Sequence, residues 1–252
     1  MWSHERQARI LEMLAQGRKV SSLDASALLG VSRETVRRDL LEMEQAGLLV
    51  RVHGGALPAP QGVEPEPAFA ERMTERAPEK AAIGRKACEL VPRGATCFVD
   101  AGTTTAAFAR RLAERGDVRV ITNSFEIARI LADAPDCDVL LLGGRPHREV
   151  PATYGEMTLA EIDRFLADFA IISPVGLHPE RGAMDYELRE AEVARGMIRR
   201  SQSCVMLCHA EKIGAESRVA VCRLDEIDHL VTDARAGSIA LPRGRTHFVA
   251  RP

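Results

Sequence analysis

Five prolines lie between residues 58 and 79 and separate two stretches of different character. They are Pro58, Pro60, Pro65, Pro67 and Pro78. Proline breaks the interior of a helix and cannot donate a hydrogen bond within a central strand, so neither element can run through this range. We therefore predict a linker at residues 58–79, with a small domain at residues 1–57 and a larger one at residues 80–252.

The stretch before the linker has the pattern of three short helices. The first is predicted over residues 3–16, and the second lies between Ser21, a capping residue, and Gly30. Ser32 is a good N-cap for a third helix that runs to about residue 46. Two helices joined by a tight glycine turn are typical of a DNA-binding helix-turn-helix.

The third helix carries cations and hydroxyls at its beginning. Val36 and Leu40 are spaced to face a core, and the polar groups lie on other faces. At this position of a helix-turn-helix such groups reach base edges and phosphates, and we predict that the following residues bind DNA: Ser32, Arg33, Thr35, Arg37 and Arg38. A short arginine cluster taken alone is equally compatible with a solvated helix face.

Residues 48–56 alternate apolar and polar side chains and bend at a glycine pair. This pattern predicts a wing hairpin in which Arg51 and His53 point to solvent or DNA. The formal net charge of the chain is only −2, so any basic surface that attracts DNA must be local.

After the linker, short apolar runs alternate with helical patterns. Strands are predicted near residues 96–100, 118–122, 137–142, 169–175, 203–208, 229–232 and 246–249. Helices are predicted near residues 80–91, 104–115, 124–133, 157–166 and 190–201. Alternation of this kind predicts an α/β domain with a parallel sheet flanked by helices.

The first of these strands is followed by a short polar loop and a helix. Asp100 ends the strand, and Gly102, Thr103, Thr104 and Thr105 lead into the helix. The free amide groups and positive end of a helix, together with threonine hydroxyls, suit a phosphate group. The alternative is an ordinary strand-to-helix turn capped by threonine.

Other polar residues follow the ends of neighbouring strands. Asn123 closes the second strand, and Arg148 lies in the loop after the third. Ligands of open α/β sheets bind beyond the carboxyl ends of the strands, which makes both residues candidates for a binding pocket. Asn123 is equally compatible with a turn or a helix cap, and Arg148 with a solvated surface.

The chain resembles the DeoR family of repressors in two regions. The first comprises Val-Ser-Arg-Glu-Thr-Val-Arg-Arg-Asp-Leu (31–40) and Arg-Val-His-Gly-Gly-Ala (51–56). The second comprises the segments Asp-Ala-Gly-Thr-Thr-Thr (100–105), Ile-Thr-Asn-Ser (121–124), Glu-Ala-Glu-Val (190–193) and Lys-Ile-Gly (212–214). The resemblance implies a winged helix-turn-helix followed by a sheet domain similar to ribose-5-phosphate isomerase. It also implies a phosphorylated sugar or related effector that releases the DNA.

The resemblance carries over to individual residues of the effector domain. The phosphate loop would be residues 102–105, and the rest of the pocket would be lined by Asp100, Asn123, Gly176, Glu190 and Lys212. A lone lysine such as Lys212 is, however, often simply exposed.

The chain departs from the family pattern at residues 184–186 and at His209. Asp185 stands where many members have threonine, and an acidic group there would favour a cationic or polyol part of the ligand or exclude a second phosphate. We therefore include Asp185 among the predicted effector-binding residues. His209 would either make binding sensitive to pH or pack at the end of a strand.

These features predict a cytoplasmic transcriptional repressor that is not an enzyme. Its expected partners are double-stranded operator DNA, a small phosphorylated metabolite and further copies of the chain in a homodimer or homotetramer. No cofactor, metal or membrane span is expected. The six cysteines are predicted to be buried thiols because most of them lie within apolar runs, and the absence of a Cys-x-x-Cys pair argues against a metal site. Two alternatives stay open: a constitutive regulator whose α/β domain only assembles, and a sugar-phosphate isomerase.

Overall fold

The structure is a computed structural model and describes residues 3–16, 20–45, 48–52, 54–58, 66–235, 239 and 241–250. The chain forms two compact units, residues 1–65 and 66–252. Their boundary lies inside the range that the sequence predicts as a linker. Each unit has a hydrophobic core of its own.

Three helices and a small antiparallel sheet build the first unit. They are α1 (Ser3–Gln16), β1 (Val20–Ser21), α2 (Ser22–Leu29), α3 (Arg33–Gln45), β2 (Leu49–Val52) and β3 (Gly55–Pro58). As predicted, the side chain of Ser21 caps α2 by accepting a hydrogen bond from the Asp24 amide at 3.0 Å. Gly30 ends the helix with a φ of 63°, which glycine adopts without strain.

The predicted wing is the hairpin of β2 and β3. These strands pair antiparallel, and β3 also pairs with β1. The close approach at Gly55 requires glycine, because a Cβ atom there would lie 2.1 Å from the carbonyl oxygen of Val20. The hairpin is thereby joined to the chain segment that precedes α2.

The second unit alternates helices and strands. Its elements are α4 (Phe69–Thr74), α5 (Ala77–Cys88), β4 (Thr96–Val99), α6 (Thr103–Arg115), β5 (Val118–Thr122), α7 (Phe125–Ala132), β6 (Cys137–Leu141), β7 (Arg145–Pro146), β8 (Thr153–Tyr154), α8 (Glu156–Ile162), β9 (Ala167–Ile172), β10 (Gly176–His178), β11 (Gly182–Asp185), α9 (Leu188–Arg199), β12 (Ser201–Leu207), β13 (Val219–Cys222), β14 (His229–Asp233) and β15 (Thr246–Ala250). Residues 210–212 and 224–226 form 3₁₀ turns.

Seven of these strands form a parallel sheet in the order β15-β14-β12-β9-β4-β5-β6. They correspond to the seven predicted strands. Phe108 of α6 and Ile127 of α7 are fully buried in a core on one face of the sheet, which also includes residues of α5. Ile162 of α8 and Met197 of α9 are fully buried in the core on the other face. The expected α/β architecture, with helices on both faces, is confirmed.

Two features differ from the sequence prediction. A second sheet of β10, β11 and β13 is antiparallel and was not predicted, and β7 pairs with β8. In addition, α4 and the start of α5 lie inside the predicted linker. Proline excludes helix interiors, but Pro67 precedes α4 and Pro78 lies in the first turn of α5, where its missing amide hydrogen costs nothing.

All six cysteines are free thiols. Cys137 is half-buried, and the other five are buried, as predicted. Burial raises the pKa of Cys97, Cys208 and Cys222 to about 12, so these groups are neutral thiols at physiological pH. Among the described residues, no helix has the length and apolar character needed to cross a membrane.

Candidate functional sites

The predicted DNA-binding residues of α3 lie on its exposed surface. Arg33, Arg37 and Arg38 are exposed, whereas Val36 and Leu40 are buried in the core of the first unit. Arg37 lies 3.7 Å from Glu34, and Arg38 lies 3.5 Å from Glu42. Because these ion pairs are exposed, they are weak, and the guanidinium groups can exchange them for phosphate.

The beginning of α3 is capped by one of the predicted residues. The Ser32 hydroxyl oxygen accepts a hydrogen bond from the Thr35 amide at 3.1 Å, and the two hydroxyl groups lie 2.8 Å apart. This arrangement fixes the first turn of the helix that carries the arginines. Ser32 therefore has a structural role in addition to any contact with DNA.

A buried ion pair holds α3 against α1, and the sequence did not identify it. Arg6 donates two hydrogen bonds to Asp39, from Nε at 2.7 Å and from Nη2 at 2.8 Å. The side chain of Asp39 is only 3% exposed. A bidentate pair of this kind fixes orientation as well as distance, so it determines which face of α3 is presented outward.

The two predicted residues of the wing are described only in part. Arg51 lies in β2 opposite Ala56. Its side chain, like the whole of His53, lies outside the described residues.

The predicted phosphate loop joins β4 to α6. Thr103, Thr104 and Thr105 form the first turn of α6 and are all buried, with Thr104 only 1% exposed. The Thr105 hydroxyl donates a hydrogen bond to the carbonyl oxygen of Gly102 at 2.9 Å. Among the described residues, no side-chain hydrogen bond uses Thr103 or Thr104. Their hydroxyl groups are therefore available to a ligand at the helix terminus.

Asn123 holds this loop in place. Its Oδ1 atom accepts a hydrogen bond from the Ala101 amide at 3.1 Å, and its Nδ2 atom donates one to the Thr153 carbonyl oxygen at 3.2 Å. The side chain has no exposed surface. These contacts make Asn123 a residue that positions the loop.

Three acidic side chains meet beside the loop. Asp100 and Asp185 are each 5% exposed, and the carboxyl group of Glu190 is hydrogen-bonded to Asp185. Burial, followed by the charge of Asp185, raises the pKa of Asp100 to about 8 and the pKa of Glu190 to about 9. Burial also raises the pKa of Asp185. Asp100 and Glu190 are consequently protonated at neutral pH and can donate hydrogen bonds to ligand hydroxyl groups.

Lys212 brings a cation close to these carboxyl groups. Its Nζ atom donates a hydrogen bond to the Pro174 carbonyl oxygen at 2.5 Å and lies 3.8 Å from the carboxylate of Glu66. The charge of Lys212 lowers the pKa of Asp185, which shows that the two groups interact. Lys212 therefore lies near the carboxyl group of Asp185, one of the predicted effector-binding residues.

Two other predicted effector residues, Arg148 and Gly176, contribute no buried polar side chain. Arg148 is exposed in the loop between β7 and β8. Gly176 is buried where a Cβ atom would lie 2.5 Å from the Ala215 carbonyl oxygen, so its role in the fold is to allow two backbone segments to meet. Burial, followed by the charge of Lys212, lowers the pKa of His209 to about 3, which makes this ring neutral and favours the packed alternative.

His147, which the sequence places in the polar loop after the third strand but which was not among the predicted effector-binding residues, lies next to the acidic cluster. Its Nδ1 atom accepts hydrogen bonds from the amides of Glu149 and Val150, so its proton is on Nε2, which lies 3.1 Å from Glu187. Potential metal-ligand atoms of His147, Glu187 and Glu190 lie within 4.8 Å of one another. A metal bound to Nε2 would require the ring proton to move to Nδ1, which already accepts two amide hydrogen bonds. The geometry therefore favours a hydrogen bond between His147 and Glu187 over a metal site.

A cavity of about 560 Å³ opens beside this histidine. Its walls include His147, Tyr154, Arg145 and Arg189. Burial and the nearby charge of Glu190 raise the pKa of Tyr154, which keeps its phenol neutral.

Two family models match the chain. A DeoR-like helix-turn-helix domain matches residues 6–60, and a DeoR C-terminal sensor domain matches residues 75–234. The HTH-type transcriptional repressor GlcR of Bacillus subtilis is 33% identical over 92% of this chain and 89% of its own length. The glycerol-3-phosphate regulon repressor of Escherichia coli is 31% identical over 91% of this chain and 90% of its own.

A solved structure of ribose 5-phosphate isomerase A from Neisseria gonorrhoeae is also similar, at 17% identity. The match covers 55% of this chain and 53% of the isomerase, with a TM-score of 0.41. At this identity and TM-score the likeness is weak and concerns the fold alone.

Proposed function

The chain belongs to the DeoR family of transcriptional regulators, and we propose that it represses transcription from an operator until a phosphorylated sugar or polyol binds its second unit. In this proposal the exposed residues of α3 and the wing bind double-stranded DNA. The DNA-binding part of the proposal is supported by the surface of α3, on which Arg33, Arg37 and Arg38 are exposed. On the buried side of the helix, Asp39 pairs with Arg6 of α1.

The effector half of the proposal rests on the end of β4. A helix N-terminus with buried threonines lies beside protonated carboxyl groups and a lysine. The helix terminus and Thr104 suit a phosphate group, and Asp100, Asp185 and Glu190 suit hydroxyl groups. Together they fit a ligand with a phosphate at one end and several hydroxyl groups along its chain.

We propose that the second unit regulates and does not catalyse. The family relatives are regulators, and the likeness to isomerases is confined to the fold. Asp100 and Glu190, which would be the candidate bases of an isomerase, have pKa values raised to about 8 and about 9. In the ligand-free protein these carboxyl groups are therefore mostly protonated at neutral pH and suited to donate hydrogen bonds to a bound effector.

A regulator of this kind acts on genomic DNA, from which we predict a cytoplasmic location. We also propose a homodimer or homotetramer, because two linked winged domains bind paired half-sites more tightly than one. Light scattering of the purified protein, alone and with operator DNA, measures the number of copies.

The proposal is tested with operator DNA selected by the purified protein from a random double-stranded library. Fluorescence anisotropy then measures the affinity of the wild type, of Arg37→Ala and of a matched control, Arg9→Ala, whose exposed arginine lies on α1. The proposal expects a loss of affinity only in Arg37→Ala, and release of wild-type DNA by a member of a sugar-phosphate and polyol-phosphate panel. Specific DNA binding that no phosphorylated compound reverses would instead identify a constitutive regulator.

A further inference from the structure

A carboxylate from the beginning of the second unit reaches the candidate effector site. Glu66 is the first residue of the second unit, and its side chain is only 20% exposed. It pairs with Arg72 at 2.6 Å and lies 3.8 Å from Nζ of Lys212. Its charge also raises the pKa values of Asp185 and Glu190. Glu66 is therefore close to both the cationic and the acidic parts of the site.

Three cations lie close to Glu66, and the charges of Glu75 and Glu66 oppose theirs in their effect on the pKa of Lys80. Arg72 and Lys212 share this one carboxylate, and Lys80 lies close enough to both cations for their charges to lower its own pKa. Lys80 is 5% exposed, and its ammonium group donates a hydrogen bond to the Arg72 carbonyl oxygen. Burial, followed by the charge of Lys212, lowers the pKa of Lys80 to about 8.

A buried lysine without an anionic partner is costly, and an anion of higher charge would relieve that cost. Among the described residues, Lys80 forms no ion pair within 4.0 Å. It lies in the first turn of α5, where the positive end of the helix also favours an anion. A phosphate dianion brings twice the charge of the Glu66 carboxylate and more acceptor oxygens.

We propose that Arg72, Lys80 and Lys212 form an anion-binding subsite that Glu66 occupies in the ligand-free protein, and that a phosphate group displaces Glu66 when it binds. The subsite extends the proposed function, on which its regulatory meaning rests. Glu66 is thus a competitor of the ligand built into the protein.

Competition of this kind has a quantitative consequence. If the subsite is free of Glu66 in about a tenth of the molecules, the apparent affinity for phosphate is about tenfold weaker than the intrinsic affinity. Glu66→Gln removes the competing charge with little change of shape. It should therefore bind inorganic phosphate about tenfold more tightly than the full-length wild type.

Isothermal titration with inorganic phosphate measures these affinities. The matched control is Glu71→Gln, which removes an exposed carboxylate from the neighbouring helix α4 and should bind phosphate as the wild type does. Lys212→Met should weaken binding, and the Glu66→Gln gain should vanish when it is combined with Lys212→Met. Equal phosphate affinity of the wild type and Glu66→Gln, or a gain that persists without Lys212, would overturn the proposal.

The same proteins separate this inference from the proposed function. If the wild type binds operator DNA and releases it with a sugar phosphate, and Glu66→Gln does not change the phosphate affinity, then the subsite is refuted and the proposed repressor function stands. A gain of phosphate affinity in Glu66→Gln that depends on Lys212 supports the subsite even if the wild type binds no DNA, a result that refutes the repressor instead.

Discussion

Asp100→Asn should make the ligand-free second unit more stable at neutral pH. Asp100 is buried beside Asp185, and its pKa is raised to about 8 from the ordinary value of 3.8. Asparagine keeps the side-chain oxygen that accepts the Ala101 amide hydrogen at 2.8 Å. The substitution therefore removes a titrating group and preserves the hydrogen bond that shapes the loop.

The size of the effect follows from the shift in pKa. Between the two pKa values the folded protein holds a proton that the unfolded chain has released, so the free energy of unfolding falls as pH rises. One proton corresponds to about 1.4 kcal/mol per pH unit. The wild type should consequently lose about 3 kcal/mol between pH 5 and pH 7 through this group, and Asp100→Asn should not.

Urea unfolding at several pH values from 5 to 8 measures this difference. Both tyrosines, Tyr154 and Tyr186, lie in the second unit, so tyrosine fluorescence follows that unit. Asp163→Asn, which changes an exposed carboxylate of the same unit, is the control and should follow the wild type.

The reasoning would be refuted if the wild type and Asp100→Asn lost stability in parallel as pH rises. Parallel curves would mean that Asp100 is ionised in the folded protein. Its place in the candidate pocket would then be that of a charged acceptor, and a cationic group on the effector would become the favoured ligand chemistry.

Three further variants test other parts of the structure. The combined substitution of Arg37→Ala and Arg38→Ala should weaken operator binding about tenfold or more for each arginine and reduce the dependence of the affinity on salt concentration. If anisotropy titrations gave an unchanged slope of log affinity against log salt concentration, phosphate contacts would be excluded. Asp39→Ala should lower the free energy of unfolding of the first unit because it removes the acceptor of two hydrogen bonds from Arg6, and urea unfolding that matches the wild type would show that the pair is dispensable. Thr104→Val should reduce the rise in melting temperature caused by a phosphorylated ligand, and an undiminished rise in a thermal-shift assay would place the phosphate elsewhere.

Much of the local structure could be predicted because its signals are local. Ser21 and Gly30 bound α2 through hydrogen bonds and backbone angles that involve only their neighbours. The seven parallel strands are short apolar runs between helices, a pattern that needs no knowledge of distant contacts. The family resemblance then indicated that the first group of elements binds DNA and that the later α/β elements bind the effector.

The contacts that complete the sites join residues far apart in the chain and could not be predicted. Arg6 and Asp39 are 33 positions apart, and nothing in their own surroundings marks them as partners. Glu66 was placed in the linker, although it contacts Lys212. Asn123 was recognised as a polar residue at a strand end, but only the structure shows that its amide is already used by Ala101 and Thr153.

The strand order also has a consequence for how ligand preference can change in evolution. The chain leaves β4 toward the helix on one face of the sheet and leaves β9 toward elements on the other, and β4 and β9 are neighbours. A crevice opens wherever a sheet diverges in this way. Asp185 belongs to the small antiparallel sheet that borders this crevice, outside the seven parallel strands. We therefore expect that substitutions at positions 184–186 would alter the proposed effector preference without repacking the seven-stranded sheet.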